Sequence, residues 1–293
     1  MAFNRNTFSL LQLNLSVLLI STSGAFGRYI MTPVPVTIAM RAGLAAVILF
    51  LFCKLKKVDL IIHKKDIGVL VIGGVLMGLH WLTYFYALRY SNIAIAMISL
   101  FTYPAITTIL EPLFYKTKIL KFHLLLCLAA LIGVCLIVPD LNFESEHIKA
   151  VGFGLISAFC YSIRNLMMKS QIRTYNGSFL MTIQLFIIFL GLSPVLFFMD
   201  ISGVIPYLPA TVTLALFTTA IGHTLFITSL KYFSAVTSSI ISCVQPVYGI
   251  FIGMILLSEY PSIDTILGGS LIVFTVVAES IRISRLQRNL DSL

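Results

Sequence analysis

VTSSIISCVQPVYGIFIGMILLSEYPS occupies residues 236–262, and its reading decides the fold. Gln245 and Pro246 stand inside an apolar stretch of some twenty residues that closes on Glu259. A proline lacks the N–H that a helix interior needs, so Pro246 predicts a kink there. A soluble protein buries such a segment only if the rest of the chain covers it.

The rest of the chain has little polar surface to spare. Of 293 residues 59% are hydrophobic and 11% charged, and the mean hydropathy is +1.01. Soluble domains carry about 25% charged residues, so this chain could not cover its own apolar surface in water. Twenty-two phenylalanines and twelve tyrosines suit a surface facing lipid and its interfaces. The apolar runs last eighteen to twenty-four residues, the length that crosses about 30 Å of hydrocarbon as helix. A β-barrel would instead alternate apolar and polar residues over segments of about ten.

Ten runs are expected to span the membrane, near 10–30, 35–53, 67–88, 92–115, 120–138, 151–168, 179–199, 210–230, 235–257 and 263–281. The first resembles a signal peptide, with STSGA at 21–25 as a small-residue cleavage site, but its length and its nine successors favour an uncleaved span. With the N-terminus inside, fifteen Lys and Arg residues fall in cytoplasmic segments and three outside, while Arg41 and Arg164 fall within spans. That bias orients ten helices with both termini in the cytoplasm of an inner (plasma) membrane. It also accounts for the net charge of +9 without nucleic acid, which would require basic residues gathered on one face. Cys53, Cys127, Cys135, Cys160 and Cys243 lie in or beside apolar runs with no CxxC pair, and are read as small buried hydrophobes.

PDLNFESEHIK at 139–149 divides the chain into two sets of five spans. LISTSGAFGR at 19–28 echoes LISAFCYSIR at 155–164, aligning Arg28 with Arg164. LRY at 88–90 echoes LKY at 230–232, and at the same offset Pro104 matches Pro246. An odd number of spans per half forces the second repeat to run inverted, an arrangement that lets two similar bundles exchange conformations. The expected fold is therefore an all-α integral membrane protein of ten transmembrane helices in two inverted five-helix repeats. Residues 1–138 form the first repeat, 139–150 an extracytoplasmic loop, 151–281 the second repeat and 282–293 a basic cytoplasmic tail.

Polar residues inside the bilayer are the site candidates. Pro104 and Pro246 are expected hinges, exposing backbone carbonyls to a cavity, with Tyr103 and Gln245 beside them. In GGVLMGLHWLTYFYALRY at 73–90, Gly74 and Gly78 offer a small packing face. His80 and Tyr84, at i and i+4, share a face, with Trp81 adjacent. His80 could bind an anionic group, carry a proton, or simply bond a neighbouring helix, and His223 has the same readings. Arg41 and Arg164 either snorkel to an interface or charge a cavity, and Tyr161 lies three residues before Arg164. Glu111 and Glu259 are coupling candidates or, nearer the interfaces, caps and ion pairs. Spans five and ten, nearly free of polar residues, are expected to buttress the repeats or to make dimer contacts.

This plan resembles the EamA-like family of the drug/metabolite transporter superfamily. The motifs that carry the resemblance are SGAFGR at 23–28, Arg41 in RAGLAA, ALRYSNIAIAMISLFTYP at 87–104 and VQPVYGIFIGMILLSEYPS at 244–262. Two departures stand out: Thr117 at the first-repeat position matching Glu259, and SGAFGR where family members often carry tryptophan. The resemblance implies secondary active transport of small metabolites, commonly amino acids or related compounds, without ATP. No GxxxxGK[ST] loop is present. The expectation is an amino-acid or related metabolite exporter working by alternating access, with no cofactor, no metal and no catalytic residue. Substrate contacts are assigned to Arg41, His80, Trp81, Tyr84, Tyr103, Tyr161 and Gln245, and coupling candidates to His80, His223 and Glu111. Membrane lipid and protons are the other expected partners, and the chain is a monomer or homodimer. The alternatives are a nucleotide-sugar or sugar-phosphate carrier, which should need more mid-bilayer cations than Arg41 and Arg164, and a non-transporting lipid- or partner-binding protein.

Overall fold

A computed structural model describes residues 5–90, 93–137, 145–248, 251 and 262–291. The chain is all-α. Helix α1 runs Arg5–Ser21 and, past Thr22, Ser23–Tyr29. It is followed by α2 (Val34–Leu55), α3 (Ile67–Tyr90), α4 (Ile93–Leu100 and Tyr103–Tyr115) and α5 (Lys121–Ile137). Then come α6 (Ser145–Gln171), α7 (Gly177–Leu192 and Val195–Phe198), α8 (Val204–Ser229), α9 (Ala235–Ser242, resuming at Gln245) and α10 (Ile263–Asp291). Among the described residues eight helices are long and apolar enough to cross a membrane, and α5 is a shorter apolar one. The end of α9, including Glu259, lies outside the described residues.

Two expected boundaries differ. Helix α6 begins at Ser145, so part of the loop assigned to 139–150 is its first turn and a half. Helix α10 continues through Asp291, so 282–291 is not a separate tail. Its Arg282 is tied back to Glu279 one turn earlier, which favours continued helix.

Helices of the first five pack antiparallel on helices of the second five. Along α2 and α7, Gly43 meets Phe189 and Cys53 meets Thr182. Along α3 and α6, Gly73 meets Met168, His80 meets Ser157, and Tyr90 stacks on Phe153. The α2–α3 loop, rich in lysine, meets the α6–α7 loop where Tyr175 accepts from the His63 N–H and donates to Asp66. Lys54, Lys56, Lys57, Lys64 and Lys65 make this the basic end of the bundle.

Lipid gives helices no hydrophobic reason to associate, so close backbone approach and hydrogen bonds do the work. A Cβ on Gly74 would come within 2.8 Å of Ile187, and one on Gly133 within 2.8 Å of the Gly268 carbonyl. These positions seat α3 on α7 and α5 on α10. On the outside of the bundle, Leu11, Leu15, Phe50, Leu125, Phe159 and Phe274 are exposed, as lipid-facing residues are.

Of the interrupted helices, α4 and α9 break in the same register relative to a proline. In α4 the break is Phe101–Thr102, ahead of Tyr103 and Pro104; in α9 it is Cys243–Val244, ahead of Gln245 and Pro246. Each proline removes the donor to the carbonyl four residues back. The backbone compensates locally. The Thr102 hydroxyl donates to the Ser99 carbonyl at 2.7 Å, and the Cys243 and Val244 N–H groups tighten to i−3 carbonyls at 3.1 and 3.3 Å. The two broken helices meet where the Tyr103 hydroxyl donates to the Ser239 carbonyl at 3.2 Å.

Candidate functional site

Side chains from α1, α2, α3, α4, α6, α7 and α8 converge inside the bundle. Arg41 is the eighth residue of α2, and Arg164 lies seven residues before the end of α6. At 1.5 Å per residue each sits about 10 Å in from its nearer helix end, from opposite ends of the bundle. Both side chains are fully buried. A lone buried guanidinium is costly unless its donors are satisfied.

Arg41 is held by neutral groups. Its guanidinium carbon lies 4.0 Å from the Trp81 ring centroid, its Nε donates to Thr219 at 2.6 Å, and its Nη1 reaches Ser23 at 3.5 Å. Its Nη2 has no partner. Thr219 can reach it because residues Leu214–His223 of α8 form a π-helical stretch, in which the Thr219 hydroxyl bonds the Leu214 carbonyl five residues back. That widened turn turns Thr218, Thr219 and His223 inward, where all three are buried. Arg164 is fixed by Gln184 of α7 (Nε to Oε1, 2.7 Å) and by Asn165 (Nη1 to Oδ1, 2.9 Å). Among the described residues Glu279 pairs with Arg282 and lies 3.3 Å from His123, and neither Arg41 nor Arg164 pairs with a carboxylate.

Between the two cations lies an aromatic layer. His80 stacks on Tyr161 at 4.3 Å and faces Tyr84 at 6.4 Å. Tyr161 meets Tyr103 edge-on at 5.1 Å and Phe226 at 5.9 Å, while Trp81 lies 5.4 Å from His223. Ser157 fixes His80, lying 2.8 Å from its Nδ1 and donating to its backbone carbonyl at 2.9 Å. The Nδ1 of His223 is buried without a partner.

The sequence candidates thus separate. Arg41, His80, Trp81, Tyr84, Tyr103, Tyr161 and His223 share one cluster. Gln245 is half-buried on α9, and none of the ring or hydrogen-bond contacts of the cluster includes it. Glu111 sits elsewhere, accepting from the Ala235 and Val236 N–H groups at the start of α9. Arg28, aligned with Arg164 in sequence, instead donates to the Leu88 carbonyl at 2.8 Å near the end opposite the basic one. The expected cavity is closed in this conformation, because the cluster side chains bury one another. Surface concavities of about 180 and 530 Å³ lie at the two ends of the bundle and are lined by none of them.

Several participants escaped the sequence reading. Ser23, Ser157, Thr219, Asn165 and Gln184 are too common in membrane helices to single out, although Gln184 in TIQLFIIFL is a polar interruption worth weight. The expectation that spans five and ten are nearly free of polar residues is corrected. Glu279 of α10 is fully buried, accepts from Arg282 at 2.6 and 2.7 Å and from Thr237 at 2.7 Å, and lies 3.3 Å from His123 of α5. Glu279 falls near a span end, where a carboxylate reads as interfacial. Its burial comes from α5 and α9 closing over it.

Among the described residues no group of three or more His, Cys, Asp or Glu side chains could hold a metal ion. Over residues 7–138, and again over 148–279, the chain matches the EamA-like transporter family. It is 23% identical over 244 residues to an uncharacterized transporter of Clostridium kluyveri, covering 79% of this chain and 76% of the relative. Its fold superposes on a protein crystal structure with a TM-score of 0.79 at 16% identity, over 96% of this chain and 99% of the other, a likeness of fold alone. With both matched segments together covering most of its length, this ten-helix membrane protein belongs to the EamA-like family of the drug/metabolite transporter superfamily, and is a transporter rather than an enzyme.

Proposed function

We propose that the chain is a secondary active carrier of amino-acid-like metabolites, exporting them across the inner (plasma) membrane by alternating access between two inverted five-helix repeats. The observation that carries this reading is the closed cluster of two buried guanidiniums and six aromatic or imidazole rings. Such a set is expensive to keep in a membrane bundle for packing alone. Helix pairing supports the repeats: α2 packs on α7 and α5 on α10, while α3 on α6 is mirrored by α8 on α1. Each relation survives exchange of α1–α5 for α6–α10. The matched breaks ahead of Pro104 and Pro246 support their assignment as hinges.

Closure at both ends supports an occluded state. At the basic end, taken as cytoplasmic from its lysines, Lys169 donates to the Leu230 and Phe233 carbonyls at 2.5 and 2.8 Å, and Glu111 caps the next helix. At the other end Arg28 reaches Leu88, and Arg89 donates to the Ile30 and Thr32 carbonyls. Leu88 and Leu230 are the leucines aligned between the halves, so one device closes opposite faces. Releasing one set while keeping the other opens the cluster to one side.

Counterflow in proteoliposomes against a pool of labelled amino acids and small metabolites, with and without a pH gradient, tests the reading. Saturable exchange, reduced in His80→Ala, is expected. Absence of exchange for any member of a broad pool, from folded protein, would overturn it.

A further inference from the structure

We propose that the cluster selects organic anions, accepting a carboxylate with an apolar planar body in preference to a zwitterion or a cation of the same skeleton. This rests on the carrier reading above and narrows its amino-acid-related class to carboxylic acids that lack the α-ammonium group.

The cluster holds two guanidiniums and, among the described residues, no carboxylate that touches it. Every hydrogen-bond partner of Arg41 and Arg164 is neutral: Ser23, Thr219, Gln184, Asn165 and the Met181 sulfur. Both guanidiniums lie within electrostatic reach of both His80 and His223, so the aromatic layer between them sits in a field of one sign. Buried charges are ordinarily paired. Here the missing counter-charge is best supplied by the cargo.

Two buried polar atoms beside Trp81 are also open: Nη2 of the fully buried Arg41 and Nδ1 of His223, which is 2% exposed and donates in one of its tautomers. Trp81 lies against both residues, at 4.0 Å from the guanidinium and 5.4 Å from the imidazole, so the open atoms flank one ring. A carboxylate offers two acceptor oxygens, and a guanidinium fork matches them. The rings of Trp81, His80, Tyr84 and Tyr161 would receive the cargo's apolar part. An ammonium on the same cargo finds only aromatic faces and two repelling guanidiniums.

The two cations lie about equally deep from opposite ends by the helix rise of 1.5 Å per residue. A carboxylate can therefore be held from either side in turn, by Arg41 when the far end is open and by Arg164 when the basic end is.

The test uses three probes with closely related skeletons: 3-phenylpropionate, phenylalanine and phenethylamine, each in counterflow with the purified protein in proteoliposomes. The expected result is kcat/KM for the carboxylate at least tenfold above the other two, with Arg41→Gln and Arg164→Gln each shrinking that ratio while thermal unfolding shows a folded protein. Exchange of phenylalanine or phenethylamine without preference for the acid would overturn the anion inference and leave the carrier standing. Exchange of none of the three, nor of an aliphatic acid set, would overturn it too, with the broad metabolite pool deciding the carrier reading separately. Phenyl phosphate exchanging ahead of 3-phenylpropionate would overturn the carboxylate assignment.

Discussion

Replacing Glu279 with alanine should destabilise the bundle by an amount its surroundings set. The carboxylate is fully buried and accepts three hydrogen bonds, two from Arg282 and one from Thr237, at 2.6–2.7 Å. Removing it leaves the Arg282 guanidinium and the Thr237 hydroxyl without their carboxylate acceptor and takes away the carboxylate 3.3 Å from His123. Breaking a buried ion pair by deleting one partner costs about 3–5 kcal/mol. Arg282 keeps 24% of its side-chain surface exposed, so its stranded charge is partly solvated and the lower figure, about 3 kcal/mol, applies. For chains of this size about 2–4 °C of Tm corresponds to 1 kcal/mol, which predicts a fall of roughly 6–12 °C. The assay is thermal unfolding of purified protein in detergent micelles. Glu279→Ala combined with Arg282→Leu removes the stranded cation and should recover more than half of the loss. A fall below about 2 °C for the single variant, or a double variant no more stable than the single, would refute the reasoning.

Two further outcomes follow from the packing. Gly154→Ala would place its Cβ 1.9 Å from the Ser99 hydroxyl oxygen and 2.5 Å from its Cβ, so overpacking of about 1–3 kcal/mol is expected, read as a lower Tm that Ser99→Gly restores. Lys169→Ala removes two charge-assisted hydrogen bonds from the α8–α9 connection, each of which contributes about 1.5–3 kcal/mol. It should raise labelling of a Ser23→Cys reporter from the basic end about tenfold, while Arg89→Ala does so from the other end.

Much of the fold was legible because the bilayer imposes a length on each span and leaves little polar residue elsewhere. Pro104 and Pro246 were legible as breaks because proline's missing N–H acts locally. The site was legible only in part. His80, Trp81 and Tyr84 lie within about one turn of one helix, so spacing groups them, but the partners that fix the cluster, Ser157 on His80, Thr219 on Arg41 and Gln184 on Arg164, come from other helices that no local pattern connects. Arg28 and Arg164 align in sequence yet do different jobs, because Arg28 lies one residue before its helix ends and Arg164 seven, which separates a latch at an interface from a cation in the interior. Gln245 carried weight for its neighbour Pro246, and none of the hydrogen bonds or ring contacts of the cluster includes it. Glu279 was hidden by its place near a helix end, where burial depends on what packs over it.

The central claim is that one closed cluster opens alternately to either face. A single cysteine at Ser23, which touches Arg41, introduced into protein whose five native cysteines are replaced, tests it with a membrane-impermeant thiol reagent applied to each face of oriented vesicles. The account predicts labelling from both faces, at rates that Lys169→Ala and Arg89→Ala shift in opposite directions, with no leak of a small trapped solute. Labelling from one face only, or from both with a leak, would contradict it.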